Sequence, residues 1–432
     1  MRRPAAAPSI KRAARSSMRA CAQAIWPNTK RTTQQMRHSS TTDDQHDANW
    51  PAVLSMAITM FALVCSELLP ISILTPMAKD LELSVGEAGQ AVTATAVVAA
   101  VASPAVIFLA GRIDRRLLIR GLTVVLLLSS LLASVATDQW TLLFARGLLG
   151  VALGGTWAMV TTLALRLVSP AQVARAMSII FTGVTAASVA APAAGAFLGE
   201  TWGWRGVFLV TAGLGVLALL AQLSTLPRLP TMHRPALNAF GDALSRAPVL
   251  GGLVTIVLVL SGQFAGYTFI RPLLEQVVNL NVSQISLALL LYGIGGLIGG
   301  AVGGLLAARN ASLCAAGAAL VMALMAALLA FAGTTSLISL LLLVIWGLAF
   351  SAFYVSIATW HARVAPDLAE SVGALQATAF QFSIALGAGV GGVAIDTFGL
   401  SGVFTYACAA LLAGAAVILT TGVRSQRRSP SL

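Results

Sequence analysis

Twelve stretches of the chain are apolar along nearly their whole length: roughly 52–76, 89–111, 117–136, 140–165, 174–199, 205–226, 249–273, 284–308, 312–333, 335–360, 371–395 and 401–422. Each has about the 20 residues that a helix needs to cross a bilayer. Membrane β-strands are about half as long and alternate in polarity. These runs are apolar on every face, so the pattern predicts helices. Charged residues and Pro, Gly or Ser punctuate the joins.

Composition agrees. Only 10% of the 432 residues are charged and 57% are hydrophobic, against about 25% charged in a soluble domain. The net charge of +12 does not point to nucleic acid, because of where the cations lie. With the N-terminus inside, twenty-three of the 27 Lys and Arg fall in cytoplasmic segments, as the positive-inside rule requires. Lys79, Arg205 and Arg271 fall at outer ends and Arg146 falls inside a span. Residues 1–50 have no long apolar run and no acid before Asp43. That excludes a secretory leader and predicts a disordered basic tail, although the composition also resembles an organellar transit peptide. A translation start at Met18 or Met36 is the third option. Cys21, Cys65, Cys314 and Cys408 have no metal-ligand spacing, so no metal, disulfide or cofactor is expected. No Gly-Lys-Ser/Thr phosphate loop or enzyme constellation occurs.

The chain repeats itself. A shift of 196 residues lays ETWGWRGVF (200–208) on DTFGLSGVF (396–404). It also pairs Pro76 with Pro272, Asp114 with Asn310, Glu200 with Asp396 and Glu67 with Gln263. The expectation is an all-α integral membrane protein. Its 12 transmembrane helices form two pseudo-symmetric six-helix bundles, 51–226 and 249–422, with a linker at 227–248 and tails at 1–50 and 423–432. Both termini are cytoplasmic. Parallel repeats suggest alternating access at their interface.

Three motifs now carry a resemblance. GRIDRR (Gly111 to Arg116), RGLLGVALGG (Arg146 to Gly155) and GVTAASVAAPAAG (Gly183 to Gly195) are similar to motifs of the major facilitator superfamily, in its twelve-helix drug:proton antiporter branch. The first lacks the Gly usual between its arginines, and Ala191 stands where the antiporter motif has Gly before Pro192. NWPAVLS, LTPMAKDL, GGTWAM, GQFAGYTFIRP and GWRGVF resemble the superfamily's bacterial exporters of purine ribonucleosides, whose neighbours export sugars or drugs. A transporter-like membrane sensor would need a signalling domain, and none is visible. The resemblance implies a monomeric, multi-pass protein of the bacterial inner membrane that exchanges a small polar solute for protons.

Intramembrane charges are costly and therefore point to function. Glu67 and Arg146 are the two clear cases, at depths that let them meet. Apolar surroundings favour the neutral acid and an arginine favours the anion, so Glu67 is the expected proton-coupling residue with Arg146 beside it. Gln263, Tyr267, Trp157, Tyr354, Gln376 and Gln381 are candidate substrate contacts, Gln263 foremost as the repeat partner of Glu67. Trp360 reads as an interfacial anchor, and Arg271 either binds an anion or faces water. Gly111, Asp114, Arg115 and Arg116 form a candidate gating loop, with Asp114 latching spans 2 and 11. Gly183, Ala187, Ala191, Gly195 and Gly199 make a small-residue face on a helix kinked by Pro192. That face is expected to seal against the other half. Gly296, Gly300 and Gly304 repeat the device in span 8.

Overall fold

Asn49 starts the first helix because its side chain accepts the Ala52 N–H at 3.0 Å and Pro51, lacking an N–H, fits the first turn. In the computed structural model this helix, α1, runs Trp50–Asp80. It is followed by α2 (Val85–Leu109), α3 (Arg115–Ser134), α4 (Gln139–Leu167) and α5 (Val173–Thr225). A short α6 (Asn238–Ser245) leads to α7 (Ala247–Thr268) and α8 (Ile270–Gln276). Then come α9 (Val282–Arg309), α10 (Ala311–Phe331), α11 (Ser336–Val364) and α12 (Ala369–Arg428). The structure describes residues 49–109, 113–169, 172–229, 238–331 and 335–428; most of the expected N-terminal tail lies outside them.

Among the described residues, 10 helices are long and apolar enough to cross a membrane. Two expected pairs, 174–199 with 205–226 and 371–395 with 401–422, run on as α5 and α12, of 53 and 60 residues. At 1.5 Å per residue each is roughly 80–90 Å long, enough for two crossings. Each contains one residue of non-helical backbone: Gly203 (φ 72°) and Gly399 (φ 68°). Positive φ suits glycine, which has no Cβ to clash. The step from 203 to 399 is the 196-residue repeat seen in the sequence. Gly203 falls in the expected join between 199 and 205, while backbone dihedrals stay helical through Pro192. Conversely, the expected span 249–273 is divided at Phe269, between α7 and α8.

Within the first half α1 packs along α5, and α2 along α4; in the second, α7 packs along α12, and α9 along α11. Glycine makes these approaches close. A Cβ at Gly150 or Gly154 of α4 would come within 3.0 Å of the α2 backbone at Thr95 or Ala99. In the second half most of the close glycines sit on the other partner: Gly295, Gly299 and Gly303 of α9 press on Val344, Leu348 and Ala352 of α11, and Gly347 of α11 presses on Tyr292. This corrects the expected register. Gly300 has nothing within 4 Å and Gly304 only Val355 at 4.0 Å. Paired glycines give α9 two adjacent small stripes, and the tight one is displaced by one residue. The α5 face is corrected too. Gly183, Gly195 and Gly199 lie against Ala57, Ser72 and Ile73 of α1, in the same half. It is Val189 and Ala193, on another side of α5, that meet α9: Gly293 abuts Val189, and the Ser286 hydroxyl donates to the Ala193 carbonyl at 2.8 Å.

Candidate functional site

Two prolines inside α1, Pro70 and Pro76, cannot donate to the carbonyls four residues earlier, Ser66 and Ser72. In an apolar interior such a carbonyl needs another donor. Arg146 supplies one. Its Nη1 donates to Ser66 O at 2.7 Å, its Nη2 to Glu67 O at 3.3 Å and its Nε to Ala91 O at 3.3 Å. The side chain is 1% exposed, and the glycines of RGLLGVALGG let α4 sit close enough to α2 for this reach. The guanidinium is thus held by main-chain carbonyls of two helices, in a geometry its fixed fork suits.

The structure brings Glu67 to Arg146, but no ion pair within 4.0 Å joins their side chains. The Glu67 side chain is partly exposed and meets Gln381 of α12, from the opposite half. Gln381 is itself buried, and its Oε1 has no protein partner. One carboxyl, one amide with a spare acceptor and one fixed cation therefore share a junction between the halves.

An aromatic group adjoins it. Phe380, next to Gln381 in sequence, makes edge contacts with Tyr354 (5.5 Å between centroids) and Phe264 (5.9 Å), and Phe264 meets Phe350 at 6.2 Å. Tyr354 is 38% exposed, although it lies well inside α11. Sequence reasoning named Tyr354 but missed Phe264, Phe350 and Phe380. The only signal for them was the spacing of aromatic residues in spans 7, 10 and 11. On the first-half side, Trp157 tilts on Phe181 at 5.9 Å and packs beside Cys65 and Ala191.

Other expected contacts lie elsewhere. Gln263 is 1% exposed, with Nε2 donating to Tyr292 Oη at 2.8 Å and Oε1 accepting from Trp346 Nε1 at 2.5 Å. Tyr267 is buried and stacks on Tyr292 at 4.6 Å. Both serve the second-half core in this conformation. Gln376 is engaged by His361, Oε1 to Nδ1 at 3.0 Å. Trp360 is buried and donates to Pro248 O at 3.2 Å rather than anchoring at an interface.

The profile of the Major Facilitator Superfamily matches residues 54–388. The chain belongs to the Major Facilitator Superfamily. This transporter is 39% identical over 355 residues to the purine ribonucleoside efflux pump NepI of Escherichia coli (strain K12), covering 82% of this chain and 89% of that protein. It is 38% identical over 353 residues to the NepI of Shigella dysenteriae serotype 1 (strain Sd197), covering 82% and 90%. A bacterial homologue of the human lysosomal transporter Spinster, inward-facing and unoccupied, superposes with TM-score 0.69 at 15% identity, over 87% of this chain and 96% of that one. The nucleoside transporter NupG does so with TM-score 0.68 at 13% identity, over 87% and 98%. Family and apolar helices together make this a multi-pass inner-membrane transport protein.

In the transporter's GRIDRR loop, Gly111 lies outside the described residues. Asp114 does not reach α12, the expected latch partner. Its carboxylate caps α3 by accepting from Arg116 N at 2.8 Å, and it also accepts from Leu229 N at 3.1 Å. Arg115 N completes the junction by donating to Leu229 O at 3.0 Å. Asn310 caps α10 in the same way, accepting from Leu313 N at 3.1 Å, so the 114/310 repeat pair shares a capping job. Arg271 neither faces water nor waits for an anion: it is 5% exposed and bonded to Ser72 O and Glu275.

Proposed function

We propose that this transporter exports purine ribonucleosides from the cytoplasm in exchange for protons by alternating access. It crosses the membrane twelve times with both termini cytoplasmic, and the halves 51–226 and 249–422 rock about their interface. The observation that carries this reading is the meeting of Glu67 with Gln381 across the halves. A carboxyl there is exposed to one side at a time, so it takes a proton in one state and releases it in the other. Arg146, held by carbonyls rather than by the carboxylate, is a standing positive charge beside it. Tyr354 and Phe380 offer ring faces to a purine. Gln381 offers an acceptor to the base or the ribose, and Trp157 closes the first-half wall. The names of the relatives at 38–39% identity support the cargo. The Gly183/Pro192/Gly195 helix serves as packing for α1, which carries Glu67.

The test is uptake into everted vesicles of radiolabelled inosine, adenosine, arabinose and a cationic drug, with and without a proton gradient. Gradient-dependent uptake of inosine and adenosine is expected. Uptake of arabinose or drug alone sinks the nucleoside assignment, and gradient-independent inosine uptake sinks the coupling.

A further inference from the structure

The second proline-freed carbonyl, Ser72 O, is taken from across the halves. Helix α7 stops at Thr268, and the break at Phe269 turns α8 so that Arg271 points at α1. There its Nη1 donates to Ser72 O, while its Nε donates to Glu275 Oε1 at 2.7 Å. Phe269 itself is fully buried beside this contact. Its ring fills the space that a Cβ would need at Gly89 of α2 and at Gly391 of α12. A second clasp joins α2 to α12. Asp396 of α12 accepts from Ser84 Oγ at 2.8 Å and from Gly86 N at 3.1 Å, capping the N-terminus of α2 from the opposite half. With the Ser286 bond to Ala193, these make four hydrogen bonds between the halves among the described residues, apart from the Glu67–Gln381 contact. All four lie toward the end that bears the α1–α2 turn.

We infer that Arg271 is a positioning residue for transport: it locks that end shut by gripping the carbonyl that Pro76 leaves free. Two features make the grip switchable rather than permanent. Glu275 keeps the guanidinium paired whether or not Ser72 is reached. Once the end opens, water solvates Ser72 O as well as Arg271 did. Opening this end therefore exchanges these few cross-half hydrogen bonds for bonds to water and unseats Phe269, a small enough difference for a two-state element. This rests on the alternating-access reading, but not on the cargo or the proton.

The experiment is electron–electron distance measurement on purified full-length protein in which Cys21, Cys65, Cys314 and Cys408 are replaced. Spin labels go at Thr137 and Gln276, both exposed at the end in question. The parent should give one short distance. Loss of one charge-assisted bond in Arg271→Ala should raise the ratio of long to short distances at least about tenfold. Pro76→Ala, which gives Ser72 O a partner inside its own helix, should shift it in the same direction, as should Asp396→Ala at the second clasp. Arg271→Lys should restore part of the short population, which a role in packing alone does not predict. An unchanged distribution in folded Arg271→Ala, or in Pro76→Ala if the former does not fold, overturns the assignment. Because no substrate is present, either result stands apart from the vesicle assay.

Discussion

Gly299 and Gly300 are neighbours on one helix and look alike in the sequence, yet replacing each by alanine should have opposite effects. A Cβ at Gly299 would stand closer than 3.0 Å to the Leu348 carbonyl, with the Cα of that residue also inside 3.0 Å. The obstacle is backbone, so no side chain can turn aside; α9 and α11 must separate. Overpacking of this kind costs about 1–3 kcal/mol. The Gly295 and Gly303 contacts loosen with it, which puts the expected loss near the upper end. At Gly300 nothing lies within 4 Å, so alanine only removes glycine's entropic penalty, a gain of about 0.5–1 kcal/mol. The two variants should therefore differ by roughly 2–4 kcal/mol. The assay is thermal unfolding of detergent-purified protein by circular dichroism, with the parent between the two variants. Equal midpoints, or a lower midpoint for Gly300→Ala, would refute the assigned register.

Three further outcomes are expected. Glu67→Gln should abolish gradient-driven inosine uptake while keeping inosine counterflow; a variant that still responds to the gradient removes Glu67 from coupling. Asp114→Ala should cost about 1 kcal/mol by uncapping α3, and should speed tryptic cleavage after exposed Arg228 by releasing Leu229; an unchanged cleavage rate contradicts the clasp. Arg246, paired with Asp367 outside the spans, holds that carboxyl below its usual range. A depressed value stabilises the fold above the ordinary aspartate value of about 4 and is lost as pH falls through the folded value. Arg246→Ala should raise the Asp367 titration midpoint, read by carboxyl ¹³C NMR, and a midpoint that stays put rules the pairing out.

The apolar runs revealed the helices because bilayer thickness sets their length directly. The repeat was equally legible: the 196-residue shift that aligned two sequence motifs also relates Gly203 to Gly399 and the caps Asp114 and Asn310. What stayed hidden was facing. A helix that is apolar all round has no polar side to orient it, so neither the tight stripe of α9 nor the partner of the α5 glycines could be read. Gln263 shows a related limit. Its repeat partner Glu67 lies at the junction of the halves, but Tyr292 and Trp346, distant in sequence, occupy its amide. The sequence suggests only water or an anion for Arg271, because its acceptor is a main-chain carbonyl, which no residue letter records. The signal was nonetheless present in Pro76, four positions beyond the carbonyl it leaves free.

A clasp whose acceptor is a backbone carbonyl has a genetic signature. Every amino acid at position 72 carries that carbonyl, so substitutions there leave the acceptor in place, and no new side chain at Ser72 supplies a complementary repair for a lost Arg271. In a selection for revertants of Arg271→Ala, second-site suppressors should therefore bypass position 72. They should gather where the open state can be penalised by other means, around the seat of Phe269 and the Asp396 cap.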